Sequence, residues 1–133
     1  YIGIEKISTG TGFRFCDPPG YTPEYVCNLR EMLNIVDNPK MNDIGKNRYA
    51  LSKNWYAKGG DGVVRLKRNV SNYYNNMYRD VPSDRRLWGT FNGAFSKVKG
   101  KGYTKGFLTF NTKATNAYKN RDCLVYLVNV FMK

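Results

Sequence analysis

The sequence predicts an α+β fold, a helix-rich single domain over residues 1–133 with a small sheet. Three observations lead there. Apolar residues recur at spacings of three and four over several stretches, as amphipathic helices require. Phe107-Leu108-Thr109-Phe110 is a short buried-strand pattern bounded by turn formers. Hydrophobic residues make up 41% and aromatic residues 15% of 133 residues, enough for a packed core despite a net charge of +12.

Taken in order, residues 1–8 read as a short strand, followed by a Gly/Thr turn and Phe13-Arg14-Phe15. Asp17-Pro18-Pro19-Gly20 breaks the chain. Thr22-Pro23-Glu24 is a helix start with a cap, a first-turn proline and an acid. Val26, Leu29, Leu33 and Val36 extend that helix to about Val36, where Asp37-Asn38-Pro39 ends it. A second helix is expected from Asn42 to Ala57, and Gly59-Gly60 closes it. A third begins near Asp61 and runs to Tyr78 with the stripe Val63, Leu66, Val70, Tyr73, Tyr74 and Met77. Pro82-Ser83-Asp84 opens a fourth helix through Leu87, Trp88 and Phe91, weakened by Gly89 and Gly93. Gly100–Gly106 is a loop, Phe107–Phe110 a strand, and Asn111–Asn120 a polar turn region. Cys123–Phe131 reads as a last helix, apolar around most of its circumference and therefore buried.

Charge points toward the partner. Residues 85–121 contain nine Lys or Arg and no Asp or Glu. Residues 61–133 hold fourteen basic and four acidic side chains, against eight and six in residues 1–60. Clustered cations interleaved with aromatic rings, Gly, Asn and Thr favour nucleic acid, DNA or RNA, as partner. An acidic protein is the competing partner, and a basic face that merely keeps the chain dispersed is the plainest account.

Within that stretch, Gly100–Phe107 (GKGYTKGF) resembles a phosphate loop but lacks the Walker A order, since Lys105 precedes Gly106. Its glycines would let backbone approach phosphate, with Lys101 and Lys105 for charge and Tyr103 for stacking. Asn111, Thr112, Lys113, Thr115 and Asn116 follow the strand and can donate to phosphate or 2′-hydroxyl oxygens. Arg85, Arg86, Lys97 and Lys99 complete the expected nucleic-acid contacts. Trp88 is expected in the core.

The chain has no histidine, which excludes Ser-His triads, His-based ribonuclease chemistry and His-ligated zinc. Cys16, Cys27 and Cys123 match no metal spacing, and their odd number suits a reduced, cytoplasmic setting. No metal, no cofactor and no membrane span is expected. The sequence opens on Tyr1 without a signal-peptide pattern and reads as a segment of a larger protein. A small His-free ribonuclease of toxin type is the enzymatic alternative. Lys101 and Lys105 would stabilise charge there, and Tyr103 or Asp122 would move protons.

The segments RLKRNVSNYYNNMYRD (65–80), LWGTF (87–91), KVKGKGYTKGFLTFNTKATNAY (97–118) and CLVYLVNVFMK (123–133) together resemble a superfamily 2 helicase-like family of phages and mobile elements. The resemblance covers about residues 43–133 and leaves 1–42 outside. It implies part of a second RecA-like α/β domain, with Thr112, Lys113, Ala114, Thr115 and Asn116 in a loop that contacts the nucleic-acid backbone. The chain departs from a whole helicase in lacking a Walker A, an Asp-Glu-x-x motif and an arginine-finger motif. The resemblance therefore implies a nucleic-acid-contacting domain without ATPase activity of its own.

Overall fold

A computed structural model describes residues 3–6, 13–16, 28, 31–113 and 116–131. The chain divides into two compact units, Tyr1–Asp37 and Asn38–Lys133. In the first, β1 (Gly3–Lys6) and β2 (Phe13–Cys16) pair antiparallel with Gly3 opposite Cys16. The expected first strand is thus present. The expected helix from Thr22 falls mainly outside the described residues. Asn28, Glu31 and Met32 are helical, and residues 33–38 are not. Leu33 and Ile35 are exposed, so burial does not hold a last turn there.

In the second unit the expected helix from Asn42 to Ala57 is broken into pieces. They are α1 (Pro39–Asn42), a 3-10 turn at Asp43–Lys46, a run of turns, and α2 (Lys53–Lys58). The break is local chemistry. Asn47 Oδ1 accepts the Tyr49 N–H at 2.9 Å, which competes with helix formation. Leu51 then takes φ +62, a left-handed conformation that costs a leucine about 1 kcal/mol or more. Ser52 restarts the helix as its cap. Its Oγ accepts the Trp55 N–H at 3.3 Å and donates to Tyr49 O at 2.7 Å.

The third expected helix is present as α3 (Asp61–Asn72), which widens into a π turn at Tyr73–Met77. Gly60 rather than Asp61 is its cap. Val63, Leu66, Val70 and Tyr74 are buried, as the stripe requires, while Met77 is exposed.

Two expected helices are strands. Ser83–Arg85 makes only one 3-10 turn, after which Arg86–Thr90 becomes β3. Cys123–Tyr126 is β5 rather than the start of a last helix. Together with β4 (Phe107–Thr109) they form a parallel sheet in the order β4-β3-β5. Trp88 stands opposite both Phe107 and Val125. All five residues of β3 are buried, so the run shows none of the alternation that marks a half-exposed strand. The short helix α4 (Phe95–Val98) lies in the connection from β3 to β4.

The core is aromatic, and its polar tips are satisfied. Trp88 is fully buried, as expected, and donates Nε1–H to Tyr103 O at 2.9 Å. The Tyr74 hydroxyl donates to Leu87 O, and the Tyr56 hydroxyl to Leu127 O at 3.0 Å. Burial pushes the phenols of Tyr56 and Tyr73 up to about 12 from 10.0. A raised phenol favours the neutral folded form. Its stabilising contribution is complete below pH 10 and is lost as pH climbs toward 12. Alkaline titration followed by circular dichroism should therefore show unfolding setting in above pH 10. A melting temperature unchanged across that window would contradict the burial of these phenols.

A cleft at the carboxyl ends of the parallel strands

The sheet begins at its central strand, passes to one edge and then to the other. Two connections therefore leave the carboxyl end of the sheet in different directions, and the space between them is where open α/β sheets hold ligands. A cleft of about 1160 Å³ lies there. Phe91 enters it directly after β3, Phe110 directly after β4, and Asn129, Val130 and Phe131 shortly after β5. The opposite wall comes from α2 and the turns before it, with Asn47, Tyr49, Ser52, Lys53, Asn54, Trp55, Ala57 and Lys58.

Five aromatic residues and two lysines line this cleft, and among the described residues no carboxylate does. The Lys53 ammonium sits 5.6 Å from the Phe91 ring and 5.9 Å from the Phe110 ring. Tyr49 and Phe131 form a tilted pair at 5.8 Å, and Phe91 and Phe110 another at 4.9 Å. The wall is fastened by Asn129. Its backbone N–H donates to Leu51 O at 3.0 Å, and its Nδ2 donates to Arg48 O at 2.9 Å and Ala50 O at 3.0 Å. The left-handed Leu51 is thus held in place by the segment that follows β5.

The parallel sheet separates residues that are neighbours in the acid-free stretch. Asn111, Thr112 and Lys113 follow β4 and stand at its carboxyl end, all exposed. Thr109 Oγ1 donates to Asn111 Oδ1 at 2.8 Å and lies 3.0 Å from Thr112 Oγ1, which shapes the turn. Asn116 is exposed, and Thr115 with Ala114 lies outside the described residues. Lys99, Lys101, Tyr103 and Lys105 precede β4 instead, in the loop that leads to its amino end.

That amino-end loop is built into the protein. Tyr103 is buried, its hydroxyl donated to Val98 O at 2.7 Å and its ring stacked on Tyr74 at 5.1 Å. Ring and hydroxyl both lie inside the protein, so it offers neither a stacking face nor a proton to a substrate, and burial raises its phenol. The glycines of GKGYTKG meet protein atoms rather than open space. A Cβ on Gly100 would lie 2.5 Å from the Tyr103 hydroxyl, and one on Gly106 would strike the Arg86 carbonyl.

Three further expected contacts are committed internally. Arg86 is 6% exposed and donates to five acceptors, from Nε on Val81 O at 2.9 Å to Nη2 on Tyr78 O at 3.4 Å. Lys97 donates to the carbonyls of Tyr56 and Ala57 at the end of α2. Arg85 grips Asp122 with two contacts of 2.9 and 2.7 Å, so the acid considered for proton transfer is already paired. Lys99, Lys101 and Lys105 remain exposed. Tyr49, Lys53, Trp55, Phe110 and Phe131 were not among the expected contacts. For the first four the signal was aromatic-lysine clustering in YALSKNWY and FNTK, split between two distant segments, and Phe131 carried no such signal.

Among the described residues no group of three or more His, Cys, Asp or Glu is placed to hold a metal, and no helix is long and apolar enough to cross a membrane.

A parallel sheet whose chain reverses direction about its central strand, with helices packed on it, defines a Rossmann-like domain. The chain belongs to the family of YonV C-terminal Rossmann-like domains, which matches residues 27–133. It is 47% identical over 104 residues to the SPbeta prophage-derived uncharacterized protein YonV of Bacillus subtilis (strain 168), covering 78% of this chain and 25% of that protein. The chain thus spans about a quarter of the length of this relative. No solved structure matches it.

Proposed function

We propose that this chain is a nucleic-acid-binding domain that holds the phosphate backbone at the carboxyl ends of its parallel strands. The observation that carries the reading is the composition of that end. Lys53 and Lys58 line a cleft that has no carboxylate among its described lining residues, and the exposed Asn111-Thr112-Lys113 turn follows Phe110 directly in the chain. The surrounding unit, Asn38–Lys133, holds 19 Lys and Arg against five Asp, a balance of +14. Of those five, Asp43 and Asp122 are neutralised by Arg65 and Arg85. A polyanion therefore meets attraction and little repulsion there. The helicase-like resemblance supports the same placement in one respect, a Thr/Asn-rich loop after a parallel strand. ATP-driven unwinding is not part of the proposal, because the chain has no Walker A. The ribonuclease alternative has lost its phenol, since Tyr103 lies in the core.

Two triple variants test the placement. Lys53, Lys58 and Lys113 changed to Ala should weaken binding and reduce the log–log salt slope by roughly 2 to 3, at about 0.7–0.9 per lost phosphate contact. Lys99, Lys101 and Lys105 changed to Ala should leave the slope near that of the parent. Titration of labelled oligonucleotides across a salt series reads both. Equal losses in the two variants, or binding indifferent to salt, would reject the carboxyl-end site.

A further inference from the structure

The cleft has a second property that backbone contact does not use. Three of its five rings are open to solvent. Tyr49 is 62% exposed, Phe131 46% and Phe110 38%, in an interior where Trp88, Tyr74 and Tyr103 are almost wholly buried. These exposed rings share one concavity with the Lys53 ammonium. Backbone phosphates need cations, whereas π-faces need flat, unstacked partners. We infer that the cleft takes a single-stranded segment of nucleic acid, stacking unpaired bases on Phe110 and Phe131 while Lys53 and Lys58 hold the phosphates between them. This rests on the nucleic-acid reading above and adds the strandedness and the stacking residues.

Three features favour that occupant. In a duplex the base faces are covered by neighbouring pairs, so only unpaired bases can reach the rings. The volume, about 1160 Å³, lies beyond the range of roughly 300–1,000 Å³ usual for one small ligand, which suits more than one nucleotide. Finally, three of the polar side chains lining the cleft already serve the protein, leaving the exposed Asn54 amide and Tyr49 hydroxyl. Asn47 Oδ1 accepts from Tyr49, Asn129 Nδ2 donates to two carbonyls, and Ser52 Oγ is engaged on both sides. Little is left to read base edges, so recognition should tolerate any sequence, as stacking does.

The experiment compares single-stranded homopolymers of about 15 nucleotides, a length near the upper site sizes of stacking grooves, with the matching duplex. It uses fluorescence anisotropy across a salt series, with affinities compared at one common salt concentration. Single strands should bind at least about tenfold more tightly than duplex, with oligo(dT) and oligo(dA) similar. Phe110→Ala and Phe131→Ala should each lose roughly tenfold on single strands with an unchanged salt slope, and Phe110→Tyr should restore binding. Trp55 emission should be quenched by single strands, and the quench should vanish in Trp55→Phe. Duplex bound as tightly as single strands, with Phe110→Ala unaffected, overturns the stacking inference while leaving backbone binding intact. Absence of any salt-dependent binding overturns both. A preference for one free mononucleotide over the oligomers also overturns it, because the cleft would then be a small-ligand site.

Discussion

Arg86→Met is expected to unfold the Rossmann-like unit or to cost it about 3–5 kcal/mol, read from urea denaturation. The guanidinium is buried at the amino end of β3 and donates to the carbonyls of Tyr78, Arg79, Val81 and Gly102 and to Asn75 Oδ1. It also lies 5.6 Å from the Tyr74 ring. One side chain therefore ties together the segment after the π turn, the approach to β3 and the loop before β4. Methionine fills similar volume and leaves these acceptors without donors. Each buried, unsatisfied carbonyl costs about 1–3 kcal/mol. Arg86→Lys should recover only part of the loss, because three donors on one nitrogen cannot replace a planar fork of five. A methionine variant that unfolds at the parental urea midpoint would show that water replaces the guanidinium without penalty.

Gly106→Ala should be nearly as damaging. A Cβ there would come within 2.9 Å of the Arg86 carbonyl carbon and closer still to its oxygen. Both are backbone atoms of the central strand, so no rotamer change relieves the clash. The chain would have to lift away from β3, taking the Trp88–Phe107 pairing with it. We expect a loss of about 3 kcal/mol or more, or no folded protein at all. Gly93→Ala is the matched control, since a Cβ there meets nothing within 4 Å. Chemical denaturation of the pair separates steric exclusion from a general cost of adding a methyl group. Equal stability of the two variants would remove Gly106 from any packing role.

These two residues also show how far the sequence could be read. The acid-free stretch, the α3 stripe, the strand at Phe107 and the burial of Trp88 were all visible as local patterns. The α+β class with a small sheet followed from them. Arg86 was read as a phosphate contact at a helix start, and Gly106 as part of a loop whose backbone could approach phosphate, because each has that meaning in isolation. Their actual partners lie up to 20 residues away in sequence, and charge cannot distinguish a phosphate from a cluster of carbonyls. Strands β3 and β5 were read as helices for a related reason. Arg86–Thr90 is buried throughout, and a short apolar run of that kind has no period to report. In Cys123–Tyr126 the exposure of Leu124 and Tyr126 alternates with the burial of Cys123, but all four residues are apolar, so composition hid the alternation.

The cleft was hidden for a topological reason. Its walls come from residues 47–58, 91, 110 and 129–131, which meet only because the two edge strands flank β3 in parallel. The same parallel arrangement divided the basic stretch, sending Lys99–Lys105 to one end of the sheet and Asn111–Lys113 to the other. Proximity along the chain was a poor guide to proximity in space once each crossover had to run the length of the sheet before the next strand began.

The Arg86 clamp has a consequence for the conditions under which this domain can hold its shape. Its acceptors are four backbone carbonyls and the Asn75 amide oxygen, none of which titrates. The clamp contains no carboxylate and the chain no histidine, so acidification finds nothing there to switch. The five bonds that Arg86 makes thus hold no carboxylate for acid to neutralise, unlike the Arg85–Asp122 pair beside them.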